Sequence, residues 1–303
     1  MEHKRPDISI VVPCYNEEES LPLFLRELER VAEQMRQADD LTFEVVLIDD
    51  GSTDGTLATM KREAQCLPAH FTVRWASFSR NFGKEAALYA GLSHATGELV
   101  ATMDADMQDP PSLLPEMYRI ITTEDVDNVA TRRTTREGEP PIRSLFARMF
   151  YKLINKISKA DIVDGARDFR LMKRPMVDAI LSMREYNRFS KGIYGWVGFK
   201  TRWLPYVNVN RVAGETKWSF FSLLLYSIDG IVAFSTVPLS IASVVGTLLC
   251  IVAFFALIFI IVRALLFGDP VDGWPSLASI IIFIGASSCY AWESWGNTWQ
   301  NIP

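Results

Sequence analysis

The sequence predicts an α/β domain with a doubly wound, mostly parallel sheet, followed by a transmembrane region. Two observations lead to this prediction. Short runs rich in β-branched residues alternate with amphipathic stretches from residue 8 onward. No charged side chain then occurs between Asp229 and Arg263, or between Asp272 and Glu293. Both uncharged stretches are long enough to cross a bilayer, which takes about 20 apolar residues.

Four strand-like runs occupy the first hundred residues. They are ISIVVP from residue 8, EVVLIDD from 44, VRWASFS from 73 and LVATMDAD from 99. Helical periodicity starts after each of them, near Glu17, Asp54, Gly83 and Ser112. Nearly continuous apolar strands that alternate with helices indicate a parallel sheet covered on both faces. Right-handed crossovers make such a sheet doubly wound.

Polar residues follow each predicted strand at its carboxyl end. The segments are 15–17 (YNE), 49–52 (DDGS), 79–81 (SRN) and 104–106 (DAD). Ligands of open α/β sheets bind outside the carboxyl ends of the strands. The sequence therefore predicts an active site along this edge.

Several classes of function are disfavoured by composition and by missing motifs. A net charge of −5 argues against a nucleic-acid partner, which would favour a basic surface. Neither a GxGxxG fingerprint nor a GxxxxGK[ST] phosphate loop is present. No catalytic triad is indicated by the three histidines, His3, His70 and His94. No zinc spacing is formed by the four cysteines, Cys14, Cys66, Cys250 and Cys289.

Carboxylates are the remaining candidates for chemistry. Asp104 and Asp106 flank one small residue at a strand end. Such a pair suits a hard divalent cation, because Mg²⁺ takes one or two carboxylates and completes its shell with substrate phosphates and water. A DxD triplet alone is a weak signal, since it occurs often by chance.

The ordered strings PCYNEEESL, VVLIDDGSTDGT, SRNFGKEAAL and DADMQDPP resemble inverting family-two glycosyltransferases. More narrowly, the chain is similar to polyprenyl-phosphate hexose synthases, which include dolichol-phosphate mannose synthases and bactoprenol glucosyltransferases. The later strings DFRLMKR, RFSKGIYGWVGFK and RVAGETKWSF match the bactoprenol branch best. The resemblance covers about residues 8–290. It implies a glycosyltransferase A-type fold.

The resemblance also implies an activity. The enzyme would transfer a hexose with inversion to undecaprenyl or another polyprenyl phosphate. Glucose from UDP-glucose is the first expectation for the donor. Mg²⁺ or Mn²⁺ would be the cofactor. The product would serve surface-glycan (lipopolysaccharide) modification, and the family implies a homotetramer.

The resemblance places the nucleotide-sugar site at the ends of the first strands. Pro13, Tyr15 and Glu17 are expected to line the nucleotide pocket. Asp50 is expected to contact the base or the ribose, and Lys84 to bind the donor. The residues of DDGSTDGT also favour turns and helix caps. A purely structural role in such a turn is the alternative interpretation of Asp50.

Asp104, Asp106 and Gln108 match the family's metal and diphosphate site. A bound cation there would neutralise the leaving diphosphate, where negative charge grows as the glycosidic bond breaks. Asp106 is therefore also a candidate catalytic residue. The second is Asp168, where relatives carry a candidate catalytic carboxylate; a salt bridge to Arg167 or Arg170 is its structural alternative.

Arg132, Arg211 and Lys217 match cationic positions that bind phosphates in related synthases. The donor diphosphate and the lipid phosphate repel each other, so cations are needed between them, and a guanidinium fork suits a phosphate. A solvated charge run is the alternative interpretation for Arg132.

Three regions are expected. They are a nucleotide-sugar-binding catalytic domain over residues 1–143, an acceptor-side region over 144–229, and a transmembrane hairpin with an atypical tail over 230–303. Basic, amphipathic helices over 144–158 and 217–230 are expected at the membrane interface, although the first also fits a core-facing helix. No signal peptide opens the chain, so we expect a multi-pass protein of the bacterial inner membrane with its catalytic domain in the cytoplasm.

Three alternatives stay open at this point. Mannose, galactose or amino-arabinose donors would use the same phosphate-binding residues. A processive polysaccharide synthase is disfavoured because Arg202-Trp203 lacks the QxxRW context and too few spans are predicted. A catalytically inactive membrane scaffold is disfavoured by the intact DxD.

Overall fold

The computed structural model describes residues 5–66, 68, 71–134, 163, 165–183, 185, 188–206, 237–268, 273–274, 276–285 and 288. The chain divides into two compact units, Met1–Ala233 and Phe234–Pro303. Each unit is described by itself.

The described part of the first unit alternates strands and helices. In chain order these are β1 (Ile8–Cys14), α1 (Leu21–Asp39), β2 (Phe43–Asp49), α2 (Thr56–Cys66), β3 (Phe71–Ser77), α3 (Lys84–His94), β4 (Leu99–Thr102), α4 (Leu114–Thr123), β5 (Asn128–Arg133), β6 (Ala166–Lys173), α5 (Arg174–Ser182), α6 (Ser190–Trp196) and β7 (Thr201–Tyr206).

The strands form one mixed sheet in the order β3-β2-β1-β4-β6-β5-β7. The pairs β1/β2, β1/β4, β2/β3 and β5/β7 are parallel. β6 runs antiparallel to both of its neighbours, β4 and β5. The predicted mostly parallel α/β fold is therefore confirmed. The antiparallel strand is an addition with a consequence, because it brings the amino end of β6 to the edge where the parallel strands end.

Helix α1 begins four residues later than the helical stretch predicted from Glu17. The backbone N–H of Asn16 donates to Ser52 Oγ at 2.9 Å, and that of Thr53 donates to Asn16 Oδ1 at 2.8 Å. Asn16 has a left-handed φ of 53°. These contacts with the turn after β2 hold residues 15–20 as a loop, so the polar residues after β1 face that turn.

The two faces of the sheet are covered differently. One face packs against α1 and α4 through buried side chains such as Phe24, Leu28 and Met117. The other face meets α3 at Gly91, where an added Cβ would lie 2.2 Å from Val11 Cγ1. A glycine there lets α3 approach β1 closely.

The second unit contains helix α7 (Val237–Phe267) in its described part. Its segment Val244–Phe267 is long and apolar enough to cross a membrane, and large side chains such as Phe259 are exposed on it. The second predicted span corresponds in the described residues to a shorter apolar helix, Ser276–Gly285. The described residues thus contain one helix of spanning length, and the two-span hairpin stays a prediction.

Candidate active site

The turn after β2 is fixed by Asp49. Asp49 Oδ1 accepts a hydrogen bond from the Ser52 backbone N–H at 3.0 Å, and Oδ2 accepts one from Ser77 Oγ at 2.6 Å. Asp49 is buried. Asp49 therefore connects the ends of β2 and β3 and has a structural role.

Asp50 holds the loop that follows β3. Its carboxylate accepts hydrogen bonds from the backbone N–H of Phe82 at 2.7 Å and of Gly83 at 3.0 Å. Burial raises the pKa of Asp50 and the Asp49 charge adds to this, while the two N–H groups oppose it. Within the protein, Asp50 thus has the structural role of the alternative interpretation, because it accepts hydrogen bonds from the backbone of a loop. Its contact with a base or ribose stays a prediction.

Pro13, Tyr15 and Glu17 lie at the carboxyl end of β1, as predicted. Pro13 pairs with Ile48 in the last part of the β1/β2 ladder. The Glu17 backbone N–H donates to Thr56 Oγ1 at 2.8 Å, and its carboxylate accepts a hydrogen bond from the Ser20 hydroxyl. These residues therefore border the turn after β2.

Lys84 joins two carboxylates that come from different strands. Its Nζ lies 2.7 Å from Asp104 Oδ2, after β4, and 2.5 Å from Asp168 Oδ2, on β6. Burial alone would lower the pKa of Lys84, but the two carboxylates raise it well above its ordinary value. Lys84 is the first residue of α3, so the close packing of α3 on β1 places this ammonium over the strand ends.

The two carboxylates differ in their electrostatic surroundings. Burial raises the pKa of Asp104. The positive charge of Lys84 lowers this pKa, but the negative charges of Asp168 and Asp106 offset part of that effect. Burial acts in the same direction on Asp168, but Lys84 and Lys191 hold the pKa of that carboxyl well below its ordinary value. Asp168 is therefore a carboxylate at neutral pH.

A second polar cluster lies beside the first. Gln108 Oε1 accepts a hydrogen bond from Arg167 Nη2 at 2.9 Å, and Arg167 Nε donates to Asp109 Oδ1 at 3.0 Å. Tyr206, at the end of β7, donates its hydroxyl proton to the same Asp109 oxygen. The backbone N–H of Gln108 donates to Asp106 Oδ1 at 3.1 Å. The loop after β4 is thus anchored to β6 and β7.

The residues after β4 fit a hard divalent cation. Asp104 and Asp106 are oxygen donors, and their mutual repulsion with Asp168 and Asp109 is what a cation would relieve. Among the residues that the structure describes, no three His, Cys, Asp or Glu side chains form a ready metal cage. Two carboxylates are sufficient for Mg²⁺ or Mn²⁺ when substrate phosphates complete the shell.

The structure brings three of the predicted site residues that it describes into direct contact. Lys84, Asp104 and Asp168 are in contact, although Asp168 pairs with Lys84 and not with Arg167 or Arg170 as the structural alternative had it. Arg132 pairs with Ala166 where β5 meets β6, and its side chain is exposed. Arg211 and Lys217 lie outside the described residues, as do the predicted helices over 144–158 and 217–230.

Sequence reasoning missed the contacts that Asp109, Arg167 and Arg170 make at the site. Asp109 is fully buried and pairs with Arg167, yet before Pro110 it looks like an ordinary turn residue. Arg170 is 2% exposed, and its guanidinium carbon lies 3.7 Å from the centre of the Tyr194 ring. The alternation of charged and apolar residues in ARDFRLMK was the available signal, because it is the period of a strand.

A comparison with protein families identifies the chain. The family described as "Glycosyl transferase family 2" matches residues 9–181, which include β1 to β6 and the DxD. The protein is a family 2 glycosyltransferase. The α/β fold with its mostly parallel sheet is the fold that this membership implies.

Relatives of this family 2 glycosyltransferase match it over most of its length. It is 40% identical over 278 residues to the prophage bactoprenol glucosyl transferase homolog of Escherichia coli K12, covering 92% of this chain and 88% of that protein. It is 38% identical to the bactoprenol glucosyl transferase of Shigella phage SfV, with the same coverage.

Solved structures share lower similarity with it. One is a mannosyltransferase from Pyrobaculum calidifontis in complex with GDP-Man and Mn²⁺. It has a TM-score of 0.48 and 21% identity, covering 96% of this chain and 88% of that one.

Proposed function

We propose that this family 2 glycosyltransferase transfers glucose from UDP-glucose, with inversion, to undecaprenyl phosphate or another polyprenyl phosphate. Relatives named bactoprenol glucosyl transferase, similar over 92% of the chain, support the substrate class. The observation that carries the proposal is the contact of Lys84 with Asp104 and Asp168 at the strand ends. It joins the DxD, on the donor side, to the carboxylate that would face the acceptor.

Asp104, Asp106 and Gln108 would hold Mg²⁺ or Mn²⁺ together with the donor diphosphate. When bound, the cation supplies charge neutralisation for the leaving nucleoside diphosphate. The Gln108 amide accepts from Arg167, so this arginine fixes its orientation. Asp109 in turn orients Arg167, which makes the loop after β4 a rigid support for the site.

A strong general base is not required for this reaction. The second pKa of a phosphate monoester is about 6, so the acceptor already carries its nucleophilic oxygen at neutral pH. Asp168 stays ionised because Lys84 and Lys191 lower its pKa, and a carboxylate with a low pKa is a weak general base. We therefore propose that Asp168 orients a hydroxyl of the sugar or the acceptor while the phosphate oxygen attacks C1 from the face opposite the diphosphate.

Cationic residues would offset the repulsion between the donor diphosphate and the acceptor phosphate. Arg132 lies at the end of β5, on the same sheet edge as Asp168. Arg211 and Lys217 are proposed to serve the acceptor, because they precede the apolar segment in the sequence.

The proposed location is the bacterial inner membrane. The apolar segment Val244–Phe267 supports a membrane anchor, and the active site needs the cytoplasm because nucleotide sugars are made there. The division at residues 143 and 229, the two-span hairpin and a homotetramer are part of this proposal. The product would leave the cytoplasm and modify a surface glycan.

The first experiment tests whether glucose transfer requires a divalent cation at Asp106. Asp106→Asn is expected to lower kcat by 100-fold or more, roughly the loss seen when one transition-state electrostatic partner is removed. Transfer of radiolabelled glucose to polyprenyl phosphate is measured with the full chain in detergent, with Mg²⁺ and with excess chelator. Asp125→Asn is the matched control, because Asp125 is exposed and pairs with Lys200.

Full turnover in chelator would contradict the metal assignment. A panel of UDP-glucose, UDP-galactose, GDP-mannose and a UDP-amino-arabinose then identifies the donor. An inactive scaffold would turn over none of them.

A further inference from the structure

A cavity of about 230 Å³ is lined by residues of β6, α6 and β7. Its polar lining comes from Arg170, Lys191, Tyr194 and Thr201, and its apolar wall includes Trp203. A single buried water needs about 10–15 Å³ of such volume, so the cavity is far larger than a water site. The metal and donor residues assigned above do not line it.

The lining chemistry is that of an anion site. Two of the described lining residues are basic, and none of them carries a carboxylate. Thr201 and Tyr194 add hydroxyl donors, and burial raises the pKa of Tyr194 to about 12, so its phenol keeps its proton. Every polar side chain of this lining is therefore able to donate a hydrogen bond.

Arg170 supplies the strongest observation. It is 2% exposed and stacks on the Tyr194 ring, yet within the described part of the chain its one hydrogen bond is from Nη2 to the Arg167 carbonyl at 3.4 Å, and its Nε has no partner there. The Tyr194 hydroxyl, also buried, has no hydrogen bond of good geometry to the residues that the structure describes, although the Ser190 side chain acts on its pKa. A guanidinium has five N–H donors, and leaving such groups unpaired in the interior is costly. An anion in the cavity would remove that cost.

The position of the cavity relates it to the reaction. Arg170 lies two residues after Asp168 on β6, so both side chains project from the same face of the sheet. The positive charge of Lys191 acts on Asp168. Two of the residues that line the cavity, Arg170 and Lys191, are thus close to the Asp168 carboxylate.

We propose that this cavity binds the phosphate of the prenyl phosphate acceptor, with its first isoprene unit against Trp203. This proposal rests on the proposed function and adds residues to it. Arg170 and Lys191 would bind the phosphate oxygens, and Tyr194 would donate to the same group. Charged hydrogen bonds of this kind are roughly twice as strong as neutral ones.

The first test measures binding without donor or turnover. The full chain in detergent is titrated with farnesyl phosphate, with farnesol and with inorganic phosphate, by calorimetry. Lys191→Gln is expected to weaken farnesyl phosphate binding about tenfold and Tyr194→Phe a few-fold, as expected for losing a charged and a neutral hydrogen bond. Farnesol binding should not change. Inorganic phosphate binding with the same Lys191 dependence would identify a free-phosphate site instead of a lipid one.

Both variants preserve the fold, because Lys191 is half-buried and Phe keeps the tyrosine ring. Lys200→Gln is the matched control: it removes the same charge from an exposed lysine outside the cavity. Unchanged farnesyl phosphate affinity in Lys191→Gln would overturn the proposal. A weakened UDP-glucose affinity with unchanged farnesyl phosphate binding would move the cavity to the donor side and overturn it too.

A second test uses turnover. In Lys191→Gln the KM for the acceptor should rise about tenfold, while the KM for UDP-glucose stays the same. If wild-type protein binds farnesyl phosphate through Lys191 but transfers no glucose, the proposed function fails and the cavity assignment stands. If the variant transfers glucose with an unchanged acceptor KM, the cavity assignment fails and the function stands.

Discussion

Lys84 is the residue on which the site's electrostatics depend. Its ammonium is shared by Asp104 and Asp168, which lie 20 and 84 residues away in the chain. The three side chains are partly buried, and removing the one cation leaves two carboxylates uncompensated, which is unfavourable. The two carboxylates would then face each other without a cation between them.

Lys84→Met should therefore reduce kcat by about 100-fold, similar to the loss of one transition-state electrostatic partner. It should also raise the pKa of Asp168, because the largest charge that lowers it is gone. The acid limb of the pH–kcat profile is expected to move to higher pH. The comparison is Lys173→Met, whose ammonium lies 3.9 Å from Asp127 at the far end of β6. Equal kcat values for Lys84→Met and wild type would refute this role.

Glu44 is a buried carboxylate far from the site and provides a pH test of the fold. It accepts from Ser9 Oγ at 2.5 Å, from the Thr96 backbone N–H at 2.9 Å and from Arg74 at 3.1 Å. Burial alone would raise the pKa of Glu44, but these hydrogen bonds lower it below its ordinary value. Its stabilising contribution is thus present above the unfolded pKa of about 4.3 and is lost as pH falls through the folded pKa.

Glu44→Gln should lower the free energy of unfolding by about 1–3 kcal/mol at pH 7, the cost of weakening a buried charged hydrogen-bond group. The difference from wild type should shrink when pH drops below about 4. Thermal unfolding of the full chain in detergent, followed by tryptophan fluorescence, measures it. Glu124→Gln is the control, since Glu124 is 44% exposed and 3.7 Å from Arg202. A pH-independent difference would show that charge is not the cause.

At the scale of elements, β1 to β4 were predictable and β5 to β7 were not. β1 and β2 are apolar and buried, β3 and β4 are rich in β-branched or apolar residues, and polar residues follow each of the four, so local pattern alone locates them. β6 carries the charged residues Arg167, Asp168 and Arg170, and Arg170 is buried because it lies in a central strand and packs against the Tyr194 ring. Its antiparallel direction, and hence the contact of Asp168 with Lys84, depends on chain connections that spacing does not encode.

The loop after β3 is positioned by Gly51 as well as by Asp50. Gly51 has a φ of +67°, and an added Cβ would lie 2.3 Å from the Arg80 carbonyl carbon and 2.6 Å from the Asn81 nitrogen. Both neighbours are backbone atoms, so the loop would have to move. Its movement would separate Asp50 from the N–H groups of Phe82 and Gly83.

Gly51→Ala should destabilise the protein by more than about 1 kcal/mol, since alanine at positive φ is strained and here also clashes. Amide hydrogen exchange of residues 80–83 should accelerate, and the KM for UDP-glucose should rise. Gly198→Ala is the control: its φ is +75°, but nothing lies within 4 Å of the added Cβ. If both variants behave alike, strain in φ and not the loop contact explains the effect.

For the whole molecule, the apolar residues are unevenly distributed. The sequence is 49% hydrophobic, and the sheet unit buries its share between helices and strands. The most apolar window of 18 residues in Val244–Phe267 has a mean hydropathy of 3.1, and none of that window is buried. A helix with apolar side chains all round needs lipid or protein around it. The bilayer is the environment that the proposed acceptor also requires.

The proposed hairpin places both chain ends in the cytoplasm and the loop over residues 268–273 outside. A single cysteine is introduced at Asp272 or at Gln65, which is exposed on α2, after the four native cysteines are replaced by alanine. An impermeant thiol reagent added to intact spheroplasts should label position 272. It should label position 65 only after the spheroplasts have been lysed. The reverse pattern would invert the topology. It would also end the functional proposal, because the site would then face away from the cytoplasmic pool of nucleotide sugars.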